Sequence, residues 1–289
     1  MRVAIIGIGL IGGSIAKDLR SSGFATSIIG VDSNIQHGEI ALASCLVDEL
    51  QALDSAIENA DIIILSTPVE VSKSIIASIL DKIESQTLID VCSTKKSITD
   101  LVKNHKNRGK YVAAHPMAGT EYSGPSAAID KLFENKANII CEKDMSDLAS
   151  LKIALELFDA LKMNTNFMGS DEHDIHAANV SHLSHISSFA LALSVLKIEK
   201  ENPDDIKIMA AGGFRSTVRL AKSDACTWEE ILMDNSENVL NALEIYTSQL
   251  EKFKEALATN DKGLLNKLIL DSNKIGPIVD AISKTAEEK

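Results

Sequence analysis

Residues 1–32, MRVAIIGIGLIGGSIAKDLRSSGFATSIIGVD, decide how the rest of the chain is read. Residues 3–6 are a short apolar run of the kind that forms a buried parallel strand. Gly7, Gly9 and Gly12 then give G-x-G-x-x-G, and Ile11, Ile15 and Leu19, four apart, set a helical period. A second apolar run, 27–31, ends in Asp32, twenty residues after Gly12. Strand, glycine turn, helix, strand and acid are the context in which this glycine pattern binds a dinucleotide. Gly7 permits the tight turn, Gly9 lets a pyrophosphate approach the backbone, and Gly12 lets the helix pack close to the strand. Leu10 and Ile11 open the helix, whose free N–H groups and positive end suit phosphates. Asp32 is placed to accept hydrogen bonds from ribose hydroxyls and to repel a 2′-phosphate. No arginine lies between Arg20 and Arg108, so the sequence predicts NAD rather than NADP.

The 289 residues suit one large domain or two moderate ones, and 45% hydrophobic content is enough for a sizeable core. A net charge of −12 argues against a nucleic-acid partner and requires a local cationic pocket for any anionic ligand. Cys45, Cys92, Cys141 and Cys226 have no C-x-x-C spacing and read as reduced thiols of a cytoplasmic protein. The apolar start lacks the basic lead and cleavage site of a signal peptide, and no run reaches membrane-spanning length.

Beyond Asp32, helical periods over 35–43, 53–59, 69–83, 98–105, 124–132 and 148–161 alternate with strand-like runs at 61–65, 87–91, 111–114, 138–141 and 164–168. The alternation predicts a mostly parallel, doubly wound sheet over residues 1–168. Ser66, Thr67 and Pro68 leave one strand at the edge where a cofactor lies. From 169 to 289 only helical patterns appear, over 171–196, 203–221, 228–259 and 262–284. That half is apolar enough for the sequence to predict an all-α dimerisation domain and a homodimer.

His115 follows a strand and precedes Pro116, which puts it at the carboxyl edge of the sheet. A histidine there can take a proton as hydride leaves, or it can serve as a structural histidine bonded to a carbonyl. Ser93, Thr94 and Lys95 leave the neighbouring strand; their hydroxyls either orient His115 and the nicotinamide ribose, or cap a helix at Thr94 or Ser97. His173, Asp174, His176, His182 and His185 crowd thirteen residues. At 100° per residue, His173 and His176 share one helix face and His182 and His185 the opposite one, so no metal site is predicted. His182 and His185 line a cleft or sit satisfied in the core. Of five arginines, Arg215 and Arg219 are four apart and can share a face, either gripping a carboxylate or pairing with surface acids.

GIGLIGGS at 7–14, STK at 93–95, HPMAGTEYSG at 115–124, HDIHAANVSHLSH at 173–185 and GGFRSTVRLA at 212–221 resemble the TyrA family of prephenate and arogenate dehydrogenases. The resemblance spans nearly the whole chain. It implies a Rossmann domain followed by a helical dimerisation domain, and NAD(P)-dependent oxidative decarboxylation of a cyclohexadienol. It also implies that His115 accepts the ring hydroxyl's proton and that Ser93 orients His115 and contacts the nicotinamide. By the same resemblance Arg219 binds a substrate carboxylate, His185 and His182 face the substrate, and Thr120, Glu121 and Trp228 surround the pocket. Two positions depart from the family pattern: Ser216 stands where aspartate is frequent, and Ser184 where proline is common. No fused chorismate mutase or ACT domain is expected, so inhibition by tyrosine would act at the active site.

Two other readings compete. A β-hydroxyacid dehydrogenase or imine reductase would rely more on a lysine in the helical half. An NAD-sensing regulatory dimer would bind NAD without turnover and dispense with His115.

Overall fold

The computed structural model describes residues 1–199, 210 and 212–280. Parts of the helices expected over 203–221 and 262–284 lie outside the described residues. Two compact units are present, Met1–Ser236 and Glu237–Lys289.

The first unit is built on one eight-stranded sheet: β1 (Arg2–Ile6), β2 (Ser27–Val31), β3 (Glu49–Leu50), β4 (Ile62–Leu65), β5 (Thr87–Asp90), β6 (Tyr111–Pro116), β7 (Ala137–Cys141) and β8 (Asn164–Met168). Their order is β3-β2-β1-β4-β5-β6-β7-β8. Every pairing is parallel except β6 with β7, where Ala114 faces Ile140 and His115 faces Ile139. Alternate residues feed two cores. Val3, Ile5, Ile62, Ile64, Val112 and Ala114 pack on one face with Ile15, Leu19, Leu157 and Phe158. Ala4, Ile6, Ile63, Leu65, Tyr111 and Ala113 pack on the other with Ile57, Ile76, Ile79 and Ile98. Strands apolar on both faces require helices on both, which is the doubly wound arrangement.

The helices on these faces are α1 (Leu10–Ser21), α2 (Ile35–Ala43), α3 (Leu53–Asn59), α4 (Val69–Lys82), α5 (Lys96–Val102) and α6 (Leu148–Ala160). Strand order reverses between β1 and β4, so their carboxyl ends open the crevice where such sheets bind ligands.

One expected helix does not form. Residues 124–132 hold only a single 3₁₀ turn, Pro125–Ala127. Gly124 has φ +80°, outside helical space. Two side chains of α1 take backbone donors that a helix would use internally: Ser14 Oγ accepts from Ile129 N at 3.1 Å and Asp18 Oδ1 from Lys131 N at 2.8 Å.

The long helix expected over 171–196 forms with a defect. α7 (Ser170–Ala177) passes through a π-helical segment (Ala178–His182) into α8 (Leu183–Glu199). The helix expected over 228–259 is instead two, α10 (Ala225–Asp234) and α11 (Ser236–Ala258), which part at the buried Asn235. Between α8 and α10 lies α9 (Gly212–Val218), followed by a 3₁₀ turn (Arg219–Lys222). The helix expected to present both arginines therefore ends between them. In the second unit α11 is followed by α12 (Lys262–Ser272), capped by Asp261 Oδ1 accepting from Leu264 N at 2.9 Å. No described helix is long and apolar enough to cross a membrane.

Candidate active site

The glycine loop joins β1 to α1 at the strand-order reversal. Gly7 has φ +91°, and a Cβ on it would lie 2.7 Å from the Ser66 carbonyl oxygen. A Cβ on Gly12 would lie 2.2 Å from the Gly7 carbonyl oxygen, whereas one on Gly9 would meet nothing within 4 Å. Gly7 and Gly12 are thus required by the fold, while Gly9 faces open space at the start of α1. Among the described residues no side chain caps that helix, which leaves its first N–H groups to phosphate oxygens. Asp32 follows β2. Its Oδ2 accepts from Ile8 N at 2.9 Å and its Oδ1 from Asn34 N at 2.8 Å, and acceptor capacity remains for hydroxyls. These features fit a dinucleotide.

The Ser66 side chain braces the glycine loop, and that of Thr67 is engaged with α4. Ser66 Oγ donates to Gly7 O at 2.7 Å, and Thr67 Oγ1 shares a hydrogen bond of 2.7 Å with Ser72 Oγ. Pro68 caps α4 without a side-chain bond.

Three segments meet at the carboxyl ends of β5 and β6. Lys95 is fully buried, paired with Asp90, and donates from Nζ to Ala114 O at 2.6 Å. Tyr111 donates its hydroxyl to Asp90 Oδ2 at 2.6 Å. A buried ion pair needs such extra hydrogen bonds to offset its desolvation, and these bonds pin the backbone just before His115. His115 is the fifth residue of β6, inside the strand rather than after it. Its Nδ1 lies 2.8 Å from His173 Nε2, and His173 Nδ1 lies 2.7 Å from Asp174 Oδ1. Among the described residues no hydrogen bond joins Ser93 to His115.

Thr94 and Ser97 do not cap α5. Both donate to Asp234 Oδ2, at 2.6 and 2.7 Å, while Lys73 Nζ donates to Asp234 Oδ1 at 2.9 Å. Burial alone would raise the Asp234 carboxyl, but these donors outweigh it and hold it below the usual range. The N-terminus of α5 is capped from a distance, by the Asp174 carboxylate accepting from Lys95 N and Lys96 N at 2.9 Å each.

The π segment brings His182 to the same place. Nine residues of regular helix would set His182 about half a turn away from His173. The wider winding changes that phase, as π turns do at functional sites. Asn235 Nδ2 donates to Asp174 O at 2.7 Å and lies 3.3 Å from His182 Nδ1. An amide nitrogen only donates, so His182 Nδ1 accepts and its hydrogen sits on Nε2. Burial pushes His182 down to about 4, so it is a neutral donor at physiological pH. His115 is driven well below the ordinary imidazole range by burial and by the neighbouring His173, Lys95 and His182.

His185 Nδ1 donates to Ser181 O at 3.0 Å, and its ring stacks on Trp228 with centroids 3.4 Å apart; Trp228 also meets His182 edge-on at 6.0 Å. Burial, with the Arg219 charge nearby, depresses His185 as well. Arg219 pairs with Glu121 at 3.5 Å. Thr120 is exposed beside it, its Oγ1 accepting from Tyr122 N at 3.3 Å, and Arg215 is exposed on α9. Contacts thus run from His115 through His173, Asp174 and Asn235 to His182, and through Trp228 to His185; Arg219, paired with Glu121, reaches His185 only through its charge. Among the described residues no group of three or more His, Cys, Asp or Glu side chains could hold a metal ion. Sequence reasoning passed over His173, Lys95, Asp234 and Asn235 as partners in the site.

Comparison with known proteins gives this arrangement a family. The profile described as "Prephenate dehydrogenase, nucleotide-binding domain" matches residues 15–167, and "Prephenate dehydrogenase, dimerization domain" matches 169–270. The chain belongs to the prephenate dehydrogenase family. Within that family, the prephenate dehydrogenase of Lactococcus lactis subsp. cremoris is 30% identical over 278 residues, 95% of this chain and 76% of that protein. The crystal structure of the A. aeolicus prephenate dehydrogenase in complex with hydroxyphenyl propionate and NAD+ superposes with a TM-score of 0.85. It is 31% identical and covers 96% of this chain and 97% of the other. Synechocystis arogenate dehydrogenase superposes with a TM-score of 0.76 at 25% identity, covering 96% of this chain and all of the other. The chain is an oxidoreductase of this family, with an N-terminal nucleotide-binding α/β domain and a helical dimerisation domain.

Proposed function

We propose that this dehydrogenase uses NAD to convert prephenate to 4-hydroxyphenylpyruvate by oxidative decarboxylation, a step of tyrosine biosynthesis. The observation that supports the reading is the run of contacts from His115, at the carboxyl end of β6, to His182 and His185, with the exposed guanidinium of Arg219 near enough to His185 for its charge to depress that imidazole. On this reading a neutral imidazole and a carboxylate-gripping cation serve one substrate. Asp32, whose Oδ2 is held at the glycine loop by Ile8 N, and the lack of any arginine in the chain between Arg20 and Arg108 support NAD over NADP. When bound there, the nicotinamide supplies the hydride acceptor. Gly7, Gly9, Leu10, Ile11, Gly12, Asp32 and the 66–68 turn would hold the dinucleotide, and Ser93 would contact the nicotinamide.

His115 draws the proton from the ring hydroxyl as that carbon loses hydride. The resulting dienone loses carbon dioxide, and aromatisation makes the sequence essentially irreversible. Arg219 holds a substrate carboxylate, His182 offers Nε2–H, and His185 with Trp228 forms an apolar wall. Thr120 and Glu121 flank the entrance. The protein's task is alignment, a sited base and held carboxylates.

The arogenate reading differs only in side chain, amino acid against keto acid, and is favoured by the likeness to the Synechocystis enzyme. NADH formation measured with both substrates and both cofactors decides. Prephenate with NAD should give the highest kcat/KM, and a preference for arogenate or NADP overturns that part.

We further infer a homodimer. Leu193, Leu196 and Ile198 in the first unit, and Leu240, Ile245 and Leu257 in the second, are exposed apolar residues on helices. Light scattering at micromolar concentration should give twice the chain mass. The functional division is placed at residue 168, and four free cysteines support a cytoplasmic location.

A further inference from the structure

Asp174 is buried, and both of its oxygens already accept backbone N–H groups, from Lys95 and Lys96 at 2.9 Å each. A carboxylate so placed is an acceptor toward His173, whose Nδ1 stands 2.7 Å from Oδ1; the hydrogen between them belongs to the imidazole. A neutral imidazole has one N–H, so His173 Nε2 then presents a lone pair. That lone pair faces His115 Nδ1 at 2.8 Å, which makes His115 Nδ1 the donor. We propose that His173 and Asp174 are positioning residues that fix His115 in the tautomer with hydrogen on Nδ1 and a bare Nε2, the form able to accept a proton. The proposal rests on His115 being the base of the proposed reaction.

The rest of the site agrees with this assignment. Among the described residues the charged and titratable groups around His115 are His173 and Asp174 from α7, Asp90 at the end of β5 with Lys95 from the turn after it, and His182 from the π segment. Lys95 is engaged with Asp90 and Ala114 O. When His115 Nε2 takes the proton from the substrate hydroxyl, the O–H bond breaks and an N–H bond forms. The new imidazolium keeps its Nδ1–H on His173, with the Asp174 carboxylate one ring further on. A histidine whose tautomer and orientation are set by a carboxylate is the logic of hydrolase triads, here with a second imidazole between them. If instead His173 carried hydrogens on both nitrogens, His115 Nδ1 would accept, Nε2 would carry the hydrogen, and no base would exist.

The test uses the full chain labelled with ¹⁵N-histidine and bound to NAD, with His115 signals assigned by their loss in His115→Asn. In the wild type, Nδ1 should show the shift of a protonated and Nε2 that of an unprotonated ring nitrogen at neutral pH. His173→Leu should lose that preference, and kcat should fall about 100-fold with the KM values for substrate and NAD little changed. His173→Gln returns an acceptor at nearly the reach of Nε2, and should recover both the tautomer and part of kcat. Asp174→Asn, whose amide can donate to His173 and reverse the chain, should fall at least as far as His173→Leu. A wild-type His115 protonated on Nε2 overturns the proposal, as does equal loss in the Leu and Gln variants, or a loss confined to KM. The NMR arm needs no turnover. Wild-type protein inactive toward prephenate and arogenate would therefore remove the proposed function, while the tautomer is read independently.

Discussion

Two glycines three apart, Gly9 at the cap of α1 and Gly12 in its first turn, should fail in opposite ways when each gains one methyl group. In Gly12→Ala the new Cβ would sit 2.2 Å from the Gly7 carbonyl oxygen and 2.6 Å from Ser66 Oγ. Real Cβ atoms essentially never approach closer than 3.0 Å, so the first contact is 0.8 Å too short, and its partner is backbone. Alanine in a helix gains about 1 kcal/mol over glycine. Forcing α1 off β1 costs about 1–3 kcal/mol and more when nothing can yield, so the net loss should be about 2 kcal/mol. At roughly 2–4 °C per kcal/mol, Tm should drop by about 4–8 °C. In Gly9→Ala the Cβ meets nothing within 4 Å, and Gly9 has φ −89°, which alanine adopts freely. Loss of the N-cap preference costs at most about 1 kcal/mol. Its methyl group instead fills the space a pyrophosphate needs, and NAD affinity should fall at least about tenfold, or 1.4 kcal/mol. Thermal unfolding and NADH fluorescence titration read the two effects separately. A Gly12→Ala protein as stable as wild type, or a Gly9→Ala protein with unchanged NAD affinity, would refute the reading of the loop.

Arg219→Ala should chiefly raise the substrate KM and leave NAD binding alone, as lost ground-state binding does; an unchanged KM removes Arg219 from the site. His115 and His182 are held below the ordinary imidazole range, so their neutral forms contribute stability above about pH 6.5 that is lost as pH falls, for His182 down to about pH 4. Tm followed across that window should drop, and less steeply in His182→Gln. Asp234→Ala removes the shared acceptor of Thr94 and Ser97 and leaves Lys73 with Glu70 alone, and should cost about 2–4 kcal/mol in chemical denaturation, whereas a surface carboxylate would cost under 1.

What the sequence made legible was local. The order strand, glycine loop, helix, strand, acid is written in neighbouring residues, and the sheet follows from apolar runs. His115 could be placed at a sheet edge because the strand before it and Pro116 after it are adjacent. His173 was illegible as its partner because 58 residues separate them, and a regular helical period put it on the wrong face from His182. The π segment that alters that phase has no signal in apolar spacing. α10 and α11 part at Asn235, whose side-chain amide reaches Asp174 O, 61 residues away, a contact no local pattern records. The helix expected over 124–132 failed because its backbone donors at Ile129 and Lys131 are claimed by Ser14 and Asp18, more than a hundred residues away. Lys95 read as a loop residue because a lysine's ordinary place is solvent; only Asp90, Ala114 O and the fold around them make it a buried post.

The central claim is that His115 takes the proton as hydride leaves the substrate ring. It is tested most directly by NADH formation from prephenate or arogenate in wild type and His115→Asn at saturating NAD. The account predicts robust turnover in the wild type and a kcat lower by about two to four decades in the variant, with KM changed little. Wild-type turnover in His115→Asn would contradict it.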